Sequence, residues 1–269
     1  MGVGLYMKSR MILNEHSLWD LLTNADWKPL SEEFGFLPFI IGTLAVTALS
    51  ILIALPISLL SAIYLSEYAH SWTKRVIFPV LDILAGIPSV VFGVWGTLII
   101  VPWIADKLGP HFVEYTSGYT VLASGIVLGV MILPILVSLF IEIFTIVPQD
   151  YRDAAASLGA TKWQISTKVI LRKSMPAIIA AVVLAISKAF GETIAVLMVC
   201  GNYAEIPHSL FDPCYPLPAL IANNYGEMLS LPLYESALMF AAFILFFIIL
   251  VFNLASRMML QHVEKKFKL

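Results

Sequence analysis

Five stretches of this sequence are long and apolar enough to cross a lipid bilayer, and that pattern constrains the fold more than any other feature. Crossing roughly 30 Å of hydrocarbon as a helix takes about 20 mostly apolar residues. Such stretches run at about 37–65, 77–104, 119–146, 176–200 and 236–256. Backbone groups inside lipid must be satisfied within the segment, which leaves helices for apolar runs of this length. A soluble chain of 269 residues needs a charged surface, and 13% charged against 59% hydrophobic residues cannot build one. The expected fold class is all-α, a polytopic membrane protein with about five spans. Pro56, Pro88 and Pro134 fall inside spans and predict kinks or local unwinding. Gly125 and Gly129, four apart, suit close helix contact. The opening "MGVGLYMKSRMILNEHSLWD" lacks the continuous apolar core of a signal peptide.

Basic residues set the expected orientation. Lys74 and Arg75 follow the first span, Arg152, Lys162, Lys168, Arg172 and Lys173 follow the third, and Arg257, Lys265, Lys266 and Lys268 follow the fifth. The other side carries Lys8, Arg10, Lys28 and Lys107. The richer side is taken as cytoplasmic. Residues 1–36 are then an extracytoplasmic N-terminal segment, 37–257 a membrane domain and 258–269 a cytoplasmic tail, with the 201–235 loop outside. A polar N-terminus outside, with no signal peptide before it, is an awkward topology.

The cytoplasmic segment 148–175, "PQDYRDAAASLGATKWQISTKVILRKSM", predicts a short helix, a glycine turn and a second amphipathic helix. Asp153 favours the N-terminal end of the first helix, Ala154 and Ala155 form helix without bulk, and Gly159 suits a left-handed stop. Trp163, Ile165 and Val169 are apolar anchors among basic residues. On physical grounds two readings stand: docking in a partner's groove, or lying on the bilayer interface.

The fourth stretch contains "SKAFGETIAV", residues 187–196. Lys188 and Glu192, four apart, share one face of any helix there and predict a self-neutralised ion pair. A charge near mid-span costs about 2.5–3.5 kcal/mol. Either the pair is purely structural, or its face lines an anion path to which Ser187 and Thr193 add hydroxyls. Asp82 and Glu142 read as carboxylates at the membrane interface. The five histidines and the two cysteines, Cys200 and Cys214, lack metal-ligand spacing, so no metal site is expected. Cys200 and Cys214 either pair or stay free. The proline-rich outer loop at residues 205–227 is either a lid or contact surface for a binding protein, or a plain connection. A net charge of −2 argues against broad nucleic-acid binding. No HExxH or GxSxG motif supports an intramembrane enzyme, and no Walker A motif supports an ATPase.

Asp153-Ala154-Ala155, Gly159 and then Val169-Ile170-Leu171 resemble the EAA loop of ABC-importer permeases, a type I (MetI-like) transmembrane domain. Asp153 replaces the usual glutamate, and Arg172 stands where a proline is usual. The resemblance implies that Asp153, Ala154, Ala155, Gly159 and Trp163 belong to a coupling helix seated in a cytoplasmic ATPase. "SLWDLLTNADWKP" (17–29), residues 42–69, "LAGIPSVVFGVWG" (84–96) and "SKAFGETIAVLMVCGN" (187–202) further resemble the membrane subunits of the phosphate-specific importer, in their C-type, PstC-like form. That resemblance implies a paired PstA-like permease, a dimer of ATPase subunits that binds ATP-Mg, a phosphate-binding protein outside, and no cofactor in this chain. It implies the cytoplasmic membrane of a prokaryote, with membrane lipid around the spans. It implies that Lys188 and Glu192 occupy positions where the family has a basic residue, usually arginine, and a glutamate. Phosphate would displace Glu192 from Lys188 in passing. It also implies a further span upstream, so the chain is expected to be truncated or misannotated at its start, with a natural five-span form as the alternative. Sulfate, molybdate or phosphonate permeases, an incomplete subunit and an ATPase-independent carrier are the competing readings.

Overall fold

A computed structural model of the chain describes residues 1–226 and 231–267, with side chains described through Met258. Five helical segments are long and apolar enough to cross a membrane: Leu37–Tyr68, Ser89–His111, Val121–Ile146, Lys162–Gly191 and Pro232–Met258. They are the first to fifth spans below. The helix of the fifth runs on to Phe267. The side chains of Lys265, Lys266 and Lys268, part of the orientation argument, lie outside the described residues.

Two spans depart from the expected bounds. The stretch expected at 77–104 is two helices, Ser71–Gly86 and the second span, separated at Ile87 and Pro88. Pro88 lacks an N–H and disfavours the helical region for the residue before it, so Ile87 turns extended at ψ 129°. Pro56 and Pro134, by contrast, lie inside continuous helix. The fourth span starts at Lys162 and stops at Gly191, not at 176 and 200. The second helix expected in the cytoplasmic loop is therefore the beginning of a span. Its buried residues explain this: Ser166, Ile170, Ser174, Ile178, Ala181, Ala185 and Ala189 recur every three to four residues, one uninterrupted helical stripe.

The chain resolves into two compact units. The first comprises Met1–Ser50, Pro88–Gly129 and Ala189–Leu250. Its N-terminal arm has three short helices, Gly2–Lys8, Arg10–Glu15 and Leu18–Thr23, then a two-stranded hairpin pairing Trp27 with Phe34 and Lys28 with Glu33. The arm lies on the fifth span. Lys8 Nζ meets Glu235 Oε1 at 3.0 Å, and the buried Ser236 hydroxyl accepts from Ile12 N–H at 3.1 Å and donates to Lys8 O at 3.0 Å. The Trp27 ring forms edge contacts with Phe34, Phe36 and Phe39 at centroid distances of 5.6, 5.4 and 4.9 Å. At Gly125 of the third span, a Cβ would lie 2.7 Å from Leu49 Cγ, so this glycine does permit the close helix contact its spacing predicts.

The second unit comprises Ile51–Ile87, Val130–Lys188 and Val251–Leu269 as far as it is described. Leu65, Leu81 and Val137 form a core there, flanked by Ala69, Ile77, Leu133 and Ile141. The loop 148–170 belongs wholly to this unit.

Replacing Trp27 with alanine removes the ring on which the arm is packed. The expected cost is about 3–5 kcal/mol, seen as a lower Tm in detergent and faster proteolysis within residues 1–36.

Candidate functional site

The loop at 148–161 is built by two caps. The helix Gln149–Ser157 begins after Pro148, and Asp153 accepts from Gln149 Nε2 at 3.1 Å. It ends where Gly159 adopts φ +80°, with Gly159 N–H donating to Ala156 O at 2.9 Å and Ala160 N–H to Ala155 O at 3.1 Å. Those bonds satisfy carbonyls that a helix end otherwise leaves open. Thr161 then starts the fourth span with a capping box: Gln164 N–H donates to Thr161 Oγ1 at 3.3 Å, and Thr161 N–H to Gln164 Oε1 at 2.9 Å. The spacing Thr-x-x-Gln carried that signal in the sequence, where it was missed.

The exposed apolar residues of the loop are Tyr151, Leu158 and Trp163, with Leu158 89% exposed. Ile165, expected as an anchor, is instead buried, and Val169 is half-buried, because both follow the inward stripe of the fourth span. Asp153 and Ala154 are exposed and Ala155 is half-buried. Lys173 Nζ lies 5.2 Å from the Tyr151 ring centroid, a cation–π contact.

Arg152, read in the sequence only as one cytoplasmic charge, has the most hydrogen bonds of the loop's described side chains. Its Nε and Nη2 donate to Glu67 Oε2 and Oε1 at 3.3 and 3.0 Å. Its Nη1 donates to Val147 O at 2.6 Å and Nη2 also to Phe144 O at 2.9 Å. The pair is largely buried, at 15% and 14% side-chain exposure. Removing one member of such a pair leaves a stranded charge, worth about 3 kcal/mol.

Lys188 sits three residues before the fourth span ends, in its last turn. A cation there faces the negative end of the helix dipole. It lies on an exposed stripe with Lys173, Ala177, Ala180, Leu184 and Gly191. Glu192 falls beyond the helix, where its N–H donates to Ala189 O at 3.2 Å, and the next short helix begins only at Ile194. The two residues therefore do not share a helix face. The ion pairs among the described residues are Lys8–Glu235, Lys28 with Asp26 and Glu33, and Arg152–Glu67. The expected self-neutralised pair Lys188–Glu192 is not formed, and with it goes the idea that an anion must displace the carboxylate. Ser187 turns to the fifth span: its hydroxyl donates to Val183 O at 2.9 Å and accepts from Asn253 Nδ2 at 3.1 Å. Thr193 Oγ1 donates to Gly191 O at 3.3 Å.

Residues 54–269 match the family described as binding-protein-dependent transport system inner membrane component. The chain belongs to that family. Among its relatives are the phosphate transport system permease protein PstC of Pasteurella multocida, 34% identical over 92% of this chain and 81% of that one, and the probable ABC transporter permease protein YqgH of Bacillus subtilis, 39% identical over 91% and 80%. A probable phosphate transport system permease protein PstC of Methanocaldococcus jannaschii is 33% identical over 94% and 84%. Two solved structures share the fold at 17% identity. One is the inward-facing MetNI methionine ABC transporter, with TM-score 0.64 over 88% of this chain and 99% of that chain. The other is a bacterial alginate ABC transporter in complex with its pentasaccharide-bound periplasmic protein, with TM-score 0.63 over 97% and 87%. The permease thus has the MetI-like fold of ABC-importer transmembrane subunits and is a multi-pass membrane protein.

Elsewhere in the permease, Cys200 and Cys214 are brought together as free, fully buried thiols, Cys214 N–H donating to Cys200 O at 2.8 Å. The hydrogen bond to Cys200 and burial push the Cys214 thiol up. Asp82 and Glu142 are exposed and border one pocket with Phe78, Ser138 and Ile141.

Gly159→Val forces a β-branched residue into the left-handed region and costs more than about 1 kcal/mol. The expected result is a severalfold increase in proteolytic cleavage at 157–161, with the spans left intact.

Proposed function

We propose that this permease is the C-type membrane subunit of an ATP-driven importer that carries inorganic phosphate inward across the cytoplasmic membrane of a prokaryote. Relatives named as phosphate transport permeases, aligned over about nine-tenths of the chain, support the substrate. The partners are a PstA-like permease, a dimer of ATPase subunits and a phosphate-binding protein outside. ATP-Mg belongs to the ATPase, and this chain contributes no catalytic residue.

The geometric observation that carries the reading is the pairing of two exposed features on the fourth span and the loop that leads into it. The loop presents Tyr151, Leu158 and Trp163 from a rigid, doubly capped hairpin that includes Asp153, Ala154, Ala155 and Gly159. Three apolar anchors around one small helical hairpin suit a groove in a partner protein. Farther along, Lys188 is exposed on a stripe whose small residues, Ala177, Ala180 and Gly191, allow close approach by another helix. A cation on a membrane-spanning helix is costly unless it serves or meets a partner. Here it has no ion-pair partner among the described residues, so it is available to an anion passing between this permease and its paired subunit. A lysine attracts phosphate as a point charge without the bidentate grip of arginine, which suits a conduit that must also release its cargo. Glu192 and Thr193, in the break beyond the helix, border the same path. Ser187 supports the fourth span against Asn253.

In proteoliposomes of the assembled complex, Lys188→Gln lowers phosphate uptake at least about tenfold, the loss of one charge-assisted contact, while Lys188→Arg preserves it. Glu192→Gln has a smaller effect, since no ion pair is broken. Wild-type uptake by Lys188→Gln would refute the path. Leu158→Asp abolishes co-purification of the ATPase without disturbing insertion of the spans. Sulfate uptake at the phosphate rate would refute the substrate.

A further inference from the structure

We propose that Arg152 and Glu67 are positioning residues that convert displacement of the Gln149–Ser157 helix into movement of the first and third spans. The proposal rests on the transport reading above.

The third span ends at Ile146 and the loop helix begins at Gln149. Only Val147 and Pro148 join them, a joint that would bend under load. The Arg152 guanidinium bridges it. Its backbone belongs to the loop helix, while Nη1 holds the carbonyl of Val147 within the joint and Nη2 that of Phe144 on its other side. The same guanidinium forks onto Glu67, which lies in the wide turn Tyr64–Tyr68 at the end of the first span. The neighbouring Ser66 carbonyl accepts from Lys74 Nζ at 3.1 Å and so ties in the helix Ser71–Gly86. Leu65, Leu81 and Val137 pack as one core within the same elements. A force on Leu158 or Trp163 is thereby delivered to several helix ends as a unit. Planar, five-donor arginine can hold a carboxylate and two carbonyls at once, and lysine cannot reproduce that geometry. Neither Arg152 nor Glu67 is among the exposed apolar residues that meet the partner, so both act through the helix they hold.

The test uses the complete complex, comprising both permeases, the ATPase dimer and the binding protein, in proteoliposomes. One readout is phosphate carried per ATP hydrolysed. The other is the spin-label distance distribution between positions 64 and 156, both exposed in the wild type, with Cys200 and Cys214 replaced by alanine. Arg152→Gln and Glu67→Gln are expected to lower the transport ratio about tenfold, within the usual range of coupling between sites, and to broaden the distance distribution. Arg152→Lys should fall between them and the wild type. A wild-type ratio, or a distribution as narrow as the wild type's, in assembled Arg152→Gln overturns the proposal. Should that variant fail to assemble, a wild-type ratio and distribution in Arg152→Lys overturn it equally. A wild-type complex that moves no phosphate refutes the transport reading instead, and the distance distributions still decide whether Arg152 holds the joint.

Discussion

A chain that crosses lipid must satisfy its own backbone hydrogen bonds, and this permease needs other groups to take over where its helices stop. Three interruptions matter. Ile87 and Pro88 separate Ser71–Gly86 from the second span. Leu158 to Thr161 turn the loop after the third span back toward the fourth. Glu192 and Thr193 follow that span's end. At each, the open groups are met locally or by a side chain from elsewhere. The end of the third span is handled the same way, where Arg152 holds the carbonyls of Phe144 and Val147 while neutralising Glu67.

The two exposed features of the fourth span follow from one helical period. Ser166 to Ala189 form the buried stripe, and its opposite face necessarily presents Lys173, Ala177, Ala180, Leu184 and Lys188. The hairpin 148–161 sits at one end of this helix and the lysine at the other. A single rigid element thus joins the surface that suits an ATPase to the cation that suits an anion.

Much of this was legible in the residues. Five apolar runs dictated a polytopic helical fold, and Ala154, Ala155 and Gly159 described the helix and its left-handed stop, because both are local properties, whereas Asp153, expected at the helix start, lies mid-helix and Asp150 occupies the first turn. The bounds of the second and fourth spans were not legible from hydropathy. An apolar run does not show where a helix breaks, and Gly191 and Pro88 interrupt continuous apolar sequence. The Lys188–Glu192 pair was misjudged for the same reason: i,i+4 geometry holds only while the helix lasts. Ser187, expected to add a hydroxyl to the path, bonds Asn253 in the fifth span.

The sequence by itself determined the membrane-spanning class, the family to which the chain belongs and the glycine turn at Gly159, since each depends on composition or on neighbours a few residues apart. Only the tertiary structure decided that Arg152 joins Glu67, 85 residues away, and that Cys200 and Cys214 meet as free buried thiols. It also decided that Lys188 stands apart from Glu192. These outcomes depend on how helices end and which distant groups their ends meet, and no local pattern encodes that.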